Sequence, residues 1–222
     1  MKQSNIFEVY EDQRRRGKSI FTENLTPGLR VYDERLVKMD NTEYREWNPN
    51  KSKLGAAIMR GATNIGIRKG HTVLYLGCST GTTPSHISDM IGKDGFLFGL
   101  DSAPRVLRDF VFLCEKRSNM TALLEDANHP ENYKDLVPKV DIVYQDIAQR
   151  NQLDIFLKNC KIFLKKGGYA LLAIKARSID VTRKPKDIFQ EIRKKLDEKM
   201  IVTDYRMLEP FEKDHCMFIC KG

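Results

Sequence analysis

Three aspartates, one lysine and a glycine-bearing turn stand out as residues whose types and spacing could do chemistry. The segment 73–83, VLYLGCSTGTT, sends a short apolar run into a turn containing Gly77 and Gly81. Glycine permits a tight reversal and lets backbone N–H groups approach a ligand closely. Asp101 stands twenty residues beyond Gly81 and ends the next apolar run, where a carboxylate can accept both hydroxyls of a ribose. Asp126 and Asp146 follow the third and fourth runs, and the N–H of Ala127 could meet the edge of a base. Lys175 follows a fifth run and would bring a cation to the same end. Taken singly, each has an ordinary reading: the turn can simply join a strand to a helix, Thr82 and Thr83 can be N-caps, and an aspartate can cap a helix. Three acids ending successive strands of an open α/β sheet, however, would all face the crevice where such sheets bind ligands.

The kind of nucleoside can be narrowed. A dinucleotide needs G-x-G-x-x-G to cradle its pyrophosphate, and ATP hydrolysis needs a lysine after the second glycine. This turn reads G-C-S-T-G-T-T. S-adenosylmethionine has no phosphate and needs only room for its methionine tail and strand-end acids for its adenosine, so it fits better.

The elements that must hold these residues follow from periodicity. Residues 72–76, 95–100, 121–124, 140–144 and 168–174 read as five strands. They alternate with helices beginning near Pro84 and Pro104, over 151–164, and from Pro185 to about Lys199. Such alternation predicts a mostly parallel sheet covered by helices on both faces. Residues 202–208 and 215–220 add two strands, expected to pair as an antiparallel edge hairpin and make seven in all. Ahead of this, 6–10, 19–22 and 29–38 read as short strands broken at 14–18, Pro27–Gly28 and Asp40–Asn41, and 49–64 as a helix. The expected organisation is therefore a small β-rich N-terminal module over 1–48 and an α/β, Rossmann-like domain over 49–222.

Composition sets limits. In 222 residues, 41% hydrophobic and 31% charged, a substantial core can form. No apolar run approaches the ~20 residues of a membrane-spanning helix, so no membrane partner is expected. Five dispersed cysteines suit a reduced protein whose thiols fill space, and Cys216 with Cys220 lacks the second pair a zinc site would want; no metal is expected. The net charge of +8 is concentrated: residues 1–69 carry +5 and 175–199 carry +4. Two basic segments could converge on a polyanion, or simply form a solvated surface.

Long ordered segments carry a family resemblance. EYREWNPNKSKLGAAI (43–58), VLYLGCSTGTTPSHISDMIG (73–92), LLEDANHPENY (123–133), VDIVYQDIAQ (140–149), GGYALLAIKARSIDVTRKP (167–185) and LEPFEKDH (208–215) make the chain resemble archaeal fibrillarin over nearly its whole length. The resemblance implies an S-adenosylmethionine-dependent enzyme that methylates ribose 2′-hydroxyls of RNA within box C/D guide ribonucleoprotein particles. Its partners would be guide and target RNA, a Nop-family scaffold protein and a kink-turn-binding protein of ribosomal type. It implies that Gly77, Thr82 and Thr83 border the methionine part of the cofactor, Asp101 its ribose, Asp126 and Ala127 its adenine, and Asp146 with Gln149 its methionine end. It also implies a catalytic set of Lys53, Asp146, Lys175 and His215. In that set Lys175 is nearest the 2′-hydroxyl and is held by Asp146, while Lys53 and His215 orient RNA or assist proton transfer. Cys78 replaces the family's usual alanine, and Ser102 stands where an aromatic residue commonly flanks the adenine. Lacking the Gly/Arg-rich N-terminal tail of eukaryotic relatives, the sequence reads as archaeal and hence cytoplasmic.

Three other functions compete: a guide-independent methyltransferase acting on an RNA base or cap ribose, a non-catalytic RNA-binding subunit that kept the fold and, weakest because the turn lacks a third glycine, a nicotinamide dehydrogenase. Basic residues close to Lys175, namely Arg177, Arg183, Lys184 and Lys186, suit RNA phosphates, and only RNA offers the acceptor hydroxyl. No modular RNA-reading motif is present, so target selection would come from outside the chain.

Overall fold

The computed structural model describes residues 1–14 and 17–222. The chain opens with β1 (Lys2–Gln3), β2 (Tyr10–Arg14), β3 (Gly17–Glu23), β4 (Leu36–Met39) and β5 (Thr42–Trp47), followed by a 3-10 turn and α1 (Lys53–Met59). Next come β6 (Thr72–Leu76), α2 (Thr82–Ile91), β7 (Phe96–Asp101), α3 (Pro104–Cys114) and β8 (Met120–Leu124). The chain closes with β9 (Val140–Gln145), α4 (Gln152–Phe163), β10 (Leu164–Lys175), α5 (Ala176–Ile179), α6 (Pro185–Asp197), β11 (Ile201–Met207) and β12 (His215–Lys221).

Seven strands form the main sheet in the order β11-β12-β10-β9-β6-β7-β8. β10, β9, β6, β7 and β8 run parallel, and the β11–β12 hairpin adds antiparallel to β10. This is the Rossmann-like α/β sheet that the strand–helix alternation predicts. From β6 the chain winds outward through β7 and β8, then returns to place β9 on the other side of β6. The two strands therefore flank a topological switch point, and ligand crevices open beyond the carboxyl ends of such strands. Alternation along β6 explains the two cores. Val73 and Tyr75 face α1, α2 and α3 with Ile87, Met90 and Phe110, while Leu74 and Leu76 face α4 and α6 with Phe156, Phe163, Ile188 and Leu196.

The first fifty residues form a separate antiparallel sheet, β1-β2-β3-β5-β4, and here the sequence expectations need correction. Residues 6–9, expected as a strand, make a turn in which Val9 N–H bonds to Ile6 O and Glu8 sits at φ 56°. Burying both Ile6 and Val9 in one core sets that turn. Within 29–38 only the end is strand, because the Glu34 carboxylate curls the chain by accepting the N–H groups of Val31 and Tyr32. Strand β5 lies inside TEYREW, whose charges conceal it: Arg45 points inward and is fully buried. The break expected at 14–18 lies partly outside the described residues; Gly17 and Lys18 already belong to β3. The helix expected over 49–64 is α1 alone, capped by the Ser52 hydroxyl accepting Gly55 N–H and ended at Gly61, φ 88°.

A buried network joins this sheet to α2. Arg45 lies 2.8 Å from both Glu34 and Asp89, and Arg117 lies 2.6 Å from the other Asp89 oxygen. Thr22 donates to Asp89 at 2.9 Å, so it must accept from Nδ1 of His86 at 2.8 Å, while the Tyr32 hydroxyl meets Nε2 at 2.7 Å. Burial, then the two arginines, hold His86 far below the usual histidine range. It is a neutral ring, stacked on Trp47 with centroids 4.7 Å apart. Two cations face two carboxylates, so the network balances without solvent, the condition under which buried ions are tolerated.

Candidate active site

The turn after β6 is fixed by backbone bonds across the switch point. Gly77 and Cys78 N–H both donate to Leu100 O, and Asp146 N–H donates to Leu76 O. Gly77 has φ 82°, and a Cβ there would lie 2.4 Å from the Asp146 carbonyl oxygen. Only glycine fits between the two strand ends. Cys78 points inward at 1% exposure, and burial pushes its thiol far above the usual range. It is an inert space-filler.

Beyond these ends lies a cavity of about 280 Å³ lined by Gly77, Asp101, Asp126, Ala127, Asp146 and Gln149. Ser79, Ser102 and Glu125 line it as well. Asp101 uses one oxygen to accept Ser79 N–H and the other to accept Ala103 N–H, each at 3.0 Å, which ties the glycine turn to the start of α3. Asp126 accepts the N–H and Nδ2 of Asn128, and these bonds hold its carboxyl below the usual range. Asn128 also donates to Gln149 at 3.1 Å. The strand-end acids thus sit on a cross-linked rim.

Thr82 and Thr83 do not line this cavity. They open α2, whose N-cap is Gly81 at φ 95°, and no side chain caps it. Thr83 instead donates to Ser52 at 2.9 Å, linking the start of α2 to the cap of α1.

Three further groups gather at the same sheet end. Lys53, the first residue of α1, places Nζ 2.9 Å from Asp146 Oδ2, with both side chains about one-fifth exposed. Burial pulls this ammonium down, but the Asp146 charge, its hydrogen bond and Glu212 outweigh it and raise Lys53 above the usual lysine range. Lys175 ends β10 and His215 begins β12, directly opposite it in the ladder. By register, Gln145 pairs Leu172, so Lys175 reaches two residues, about 7 Å, further out than Asp146. The expectation that Asp146 holds Lys175 is therefore corrected: Asp146 is engaged by Lys53, which approaches from α1. The Lys175 ammonium is exposed and has no partner among the described residues. Its backbone is held by Gln152, whose side chain meets both Lys175 N–H and Lys175 O.

His215 is nearly buried, and Nδ1 lies 2.6 Å from Lys213 O. A carbonyl can only accept, so Nδ1 carries the proton and Nε2 keeps its lone pair. Burial lowers His215 below the usual histidine range, aided by Lys53 and opposed by the Lys213 carbonyl, Glu212 and Asp146. The ring is neutral at pH 7, and Nε2 is not among the sealed unpartnered atoms. The arrangement offers a nucleoside cradle, a free cation and a neutral base on adjoining strand tips.

Comparison with known proteins agrees. The family model described as Fibrillarin matches residues 1–222. The chain belongs to the fibrillarin family. A fibrillarin-like rRNA/tRNA 2′-O-methyltransferase of Pyrococcus abyssi is 50% identical over 216 residues, 97% of this chain and 94% of that one. The fibrillarin of Aeropyrum pernix, solved with natively bound S-adenosyl-L-methionine, superposes with a TM-score of 0.90 at 42% identity, covering 99% of this chain and 96% of that one. The fibrillarin of a fibrillarin/Nop5p complex gives 0.87 at 32% identity, covering 99% of both.

For a member of the fibrillarin family, sequence reasoning missed Ser52, Asn128, Gln152 and Glu212, which position the groups it named. Ser52 was legible as an S-x-x-G cap before a helix. Asn128 was legible in part as the end of a D-x-N turn with Asp126, whereas its contact with Gln149, the Gln152–Lys175 bonds and the effect of Glu212 on Lys53 join residues far apart in sequence, which no local pattern marks.

Proposed function

We propose that this chain transfers the methyl group of S-adenosylmethionine to ribose 2′-hydroxyls of rRNA and tRNA, as the catalytic subunit of a box C/D ribonucleoprotein. The observation that carries the reading is the single cavity lined by Gly77, Asp101, Asp126, Ala127, Asp146 and Gln149, adjoined by the Lys53–Asp146 pair. The residues fit the cofactor: strand-end carboxylates line the cavity, and only a glycine at 77 lets the two strand ends approach closely enough to form it. Asp101 would take the ribose, Asp126 and Ala127 the adenine, and Asp146 with Gln149 the methionine end, with Gly77 beside the methionine part; Thr82 and Thr83, outside the cavity lining, would support that turn from the start of α2. The Aeropyrum pernix relative, with its natively bound S-adenosyl-L-methionine, supports the same choice.

When bound, S-adenosylmethionine supplies a methyl group already activated as a sulfonium, so the protein must align an oxygen, manage charge and take one proton. Lys175, free and exposed at the rim, stabilises negative charge growing on the 2′-oxygen. Nε2 of the neutral His215, one ladder step from Lys175, accepts the hydroxyl proton. Asp146 orients Lys53 and presents its remaining acceptor capacity to the cationic cofactor.

The scaffold is a Nop-family protein, as the fibrillarin/Nop5p complex supports. A box C/D guide RNA selects the nucleotide and a kink-turn-binding protein helps to place the enzyme; the lack of an RNA-reading motif in this sequence supports that division of labour. The test is methyl transfer in a reconstituted guide particle. A 2′-hydroxyl target should accept one methyl group and its 2′-deoxy counterpart none. Methylation of both, or equal activity of the chain alone on free RNA, would overturn the reading.

A further inference from the structure

A cavity of about 1050 Å³ forms a groove along α4 that the site above does not use. Six lysines line it, Lys139, Lys158, Lys161, Lys165, Lys166 and Lys199, and Asp154 is the one acidic side chain among its lining residues. Lys165 pairs with Asp141 at 2.8 Å; the other five have no ion-pair partner among the described residues. They come from three separate segments, so the charge profile of the sequence does not single them out. The floor is aliphatic, with Leu157, Leu164 and Met200.

The groove runs from the active-site end of the sheet to the opposite end. At the start of α4, Gln152 bonds to Lys175 O, and Asn151 donates at 2.7 Å to Asn128, the residue that braces Asp126 and Gln149. At the far end Leu164 pairs with Val140, the first residue of β9. Twelve residues of helix span about 18 Å, a length over which one nucleic-acid strand carries roughly five phosphates.

We propose that this groove tracks the backbone of the RNA strand flanking the target nucleotide, with its lysines on successive phosphates; the inference rests on the RNA-methylating function proposed above. Lysines act as point charges on phosphate and read no sequence. The groove has no arginine fork and no aromatic ring on which a base could stack, as suits a site whose target is chosen elsewhere. An acidic protein segment is the competing occupant, and the effect of the groove lysines on RNA binding itself separates the two.

The experiment is fluorescence anisotropy of a 5′-labelled 20-nucleotide oligouridylate against the full chain with S-adenosylmethionine, over a series of salt concentrations. The variant K158Q/K161Q/K166Q should weaken binding at least tenfold at low salt and flatten the slope of log K against log salt by about 2, at ~0.7 per lost phosphate contact on a single strand. The equally discharged K38Q/K93Q/K116Q, with exposed lysines elsewhere, should do neither. Both variants should keep wild-type cofactor affinity by calorimetry. An unchanged slope in the groove variant, or equal losses in the two variants, overturns the groove and leaves the methyl-transfer function standing. Loss of Nop-family scaffold binding with an unchanged RNA slope would make it a protein-docking surface, and also overturns it. A wild-type chain that neither binds the RNA nor transfers methyl in the particle sinks both.

Discussion

Replacing Arg45 with leucine should destabilise the protein by about 3–5 kcal/mol, the range for stripping one partner from a buried ion pair. The structure places the cost on Glu34. Arg45, Glu34 and Asp89 side chains have 0% exposure. Without the guanidinium, Asp89 keeps Arg117 at 2.6 Å and the Thr22 hydroxyl at 2.9 Å. Glu34 keeps only backbone N–H groups, chiefly those of Val31 and Tyr32, and no cation. For a chain of this size that loss corresponds to a fall in Tm of roughly 6–20 °C. The pH response has a definite sign. Burial raises the Glu34 pKa, but Val31 N–H and Arg45 outweigh it and hold the carboxyl below the usual range. In the parent, this stability is present above the unfolded pKa and is lost as pH falls through the folded one. In Arg45→Leu the balance tips towards burial, so the deficit should shrink as acid protonates Glu34. Thermal and urea unfolding at neutral and mildly acidic pH measure this. Arg45→Leu/Glu34→Leu leaves Asp89 balanced by Arg117 and should recover at least ~1 kcal/mol, within the usual range of pair couplings. A single variant costing under ~1 kcal/mol, or a double variant no more stable than the single, would refute the argued balance.

Other outcomes follow from the site. Gly77→Ala puts a Cβ 2.4 Å from Asp146 O at φ 82°, so cofactor binding by calorimetry should weaken at least tenfold, about 1.4 kcal/mol; unchanged affinity would mean the cavity is not the cofactor site. Asp101→Ala removes the acceptor of Ser79 and Ala103 N–H as well as the ribose ligand, and should weaken binding without moving the pH profile. A neutral His215 held below the usual range predicts single-turnover transfer that is flat through neutrality and falls only in acid, as the ring protonates. Because the Glu212 carboxylate, 3.9 Å from Nδ1, favours the protonated ring, Glu212→Gln should shift that acid limb to lower pH. A limb at or above pH 7 would remove His215 as the proton acceptor.

Much of the α/β domain was legible because its strands are buried on both faces and read as continuous apolar runs between glycine and proline signals. The acids at 101, 126 and 146 were found for the same reason: each stands just after such a run. The N-terminal sheet was far less legible. β5 hides a buried arginine among exposed charges, and residues 24–35 are shaped by the carboxylates of Glu34 and Glu43 accepting backbone N–H groups, which periodicity does not register. The partner of Asp146 was misassigned because strand order brings Lys175 near, whereas the short helix α1, buried along Leu54, Ala57 and Ile58 and tied to α2 by the Ser52–Thr83 bond, brings Lys53 to 2.9 Å. The lysine groove was invisible for a similar reason, since its charges meet only when α4 lies on the sheet.

The most direct test of the account is the single-turnover rate of Lys175→Ala in the reconstituted particle, with cofactor affinity measured alongside. Loss of a contact made only in the transition state should slow transfer about 100-fold or more while leaving cofactor affinity within a few-fold of the parent. Transfer at the parent rate would show that the free ammonium at the tip of β10 has no part in the reaction, and the assembly of these strand ends around one ribose oxygen would have to be abandoned.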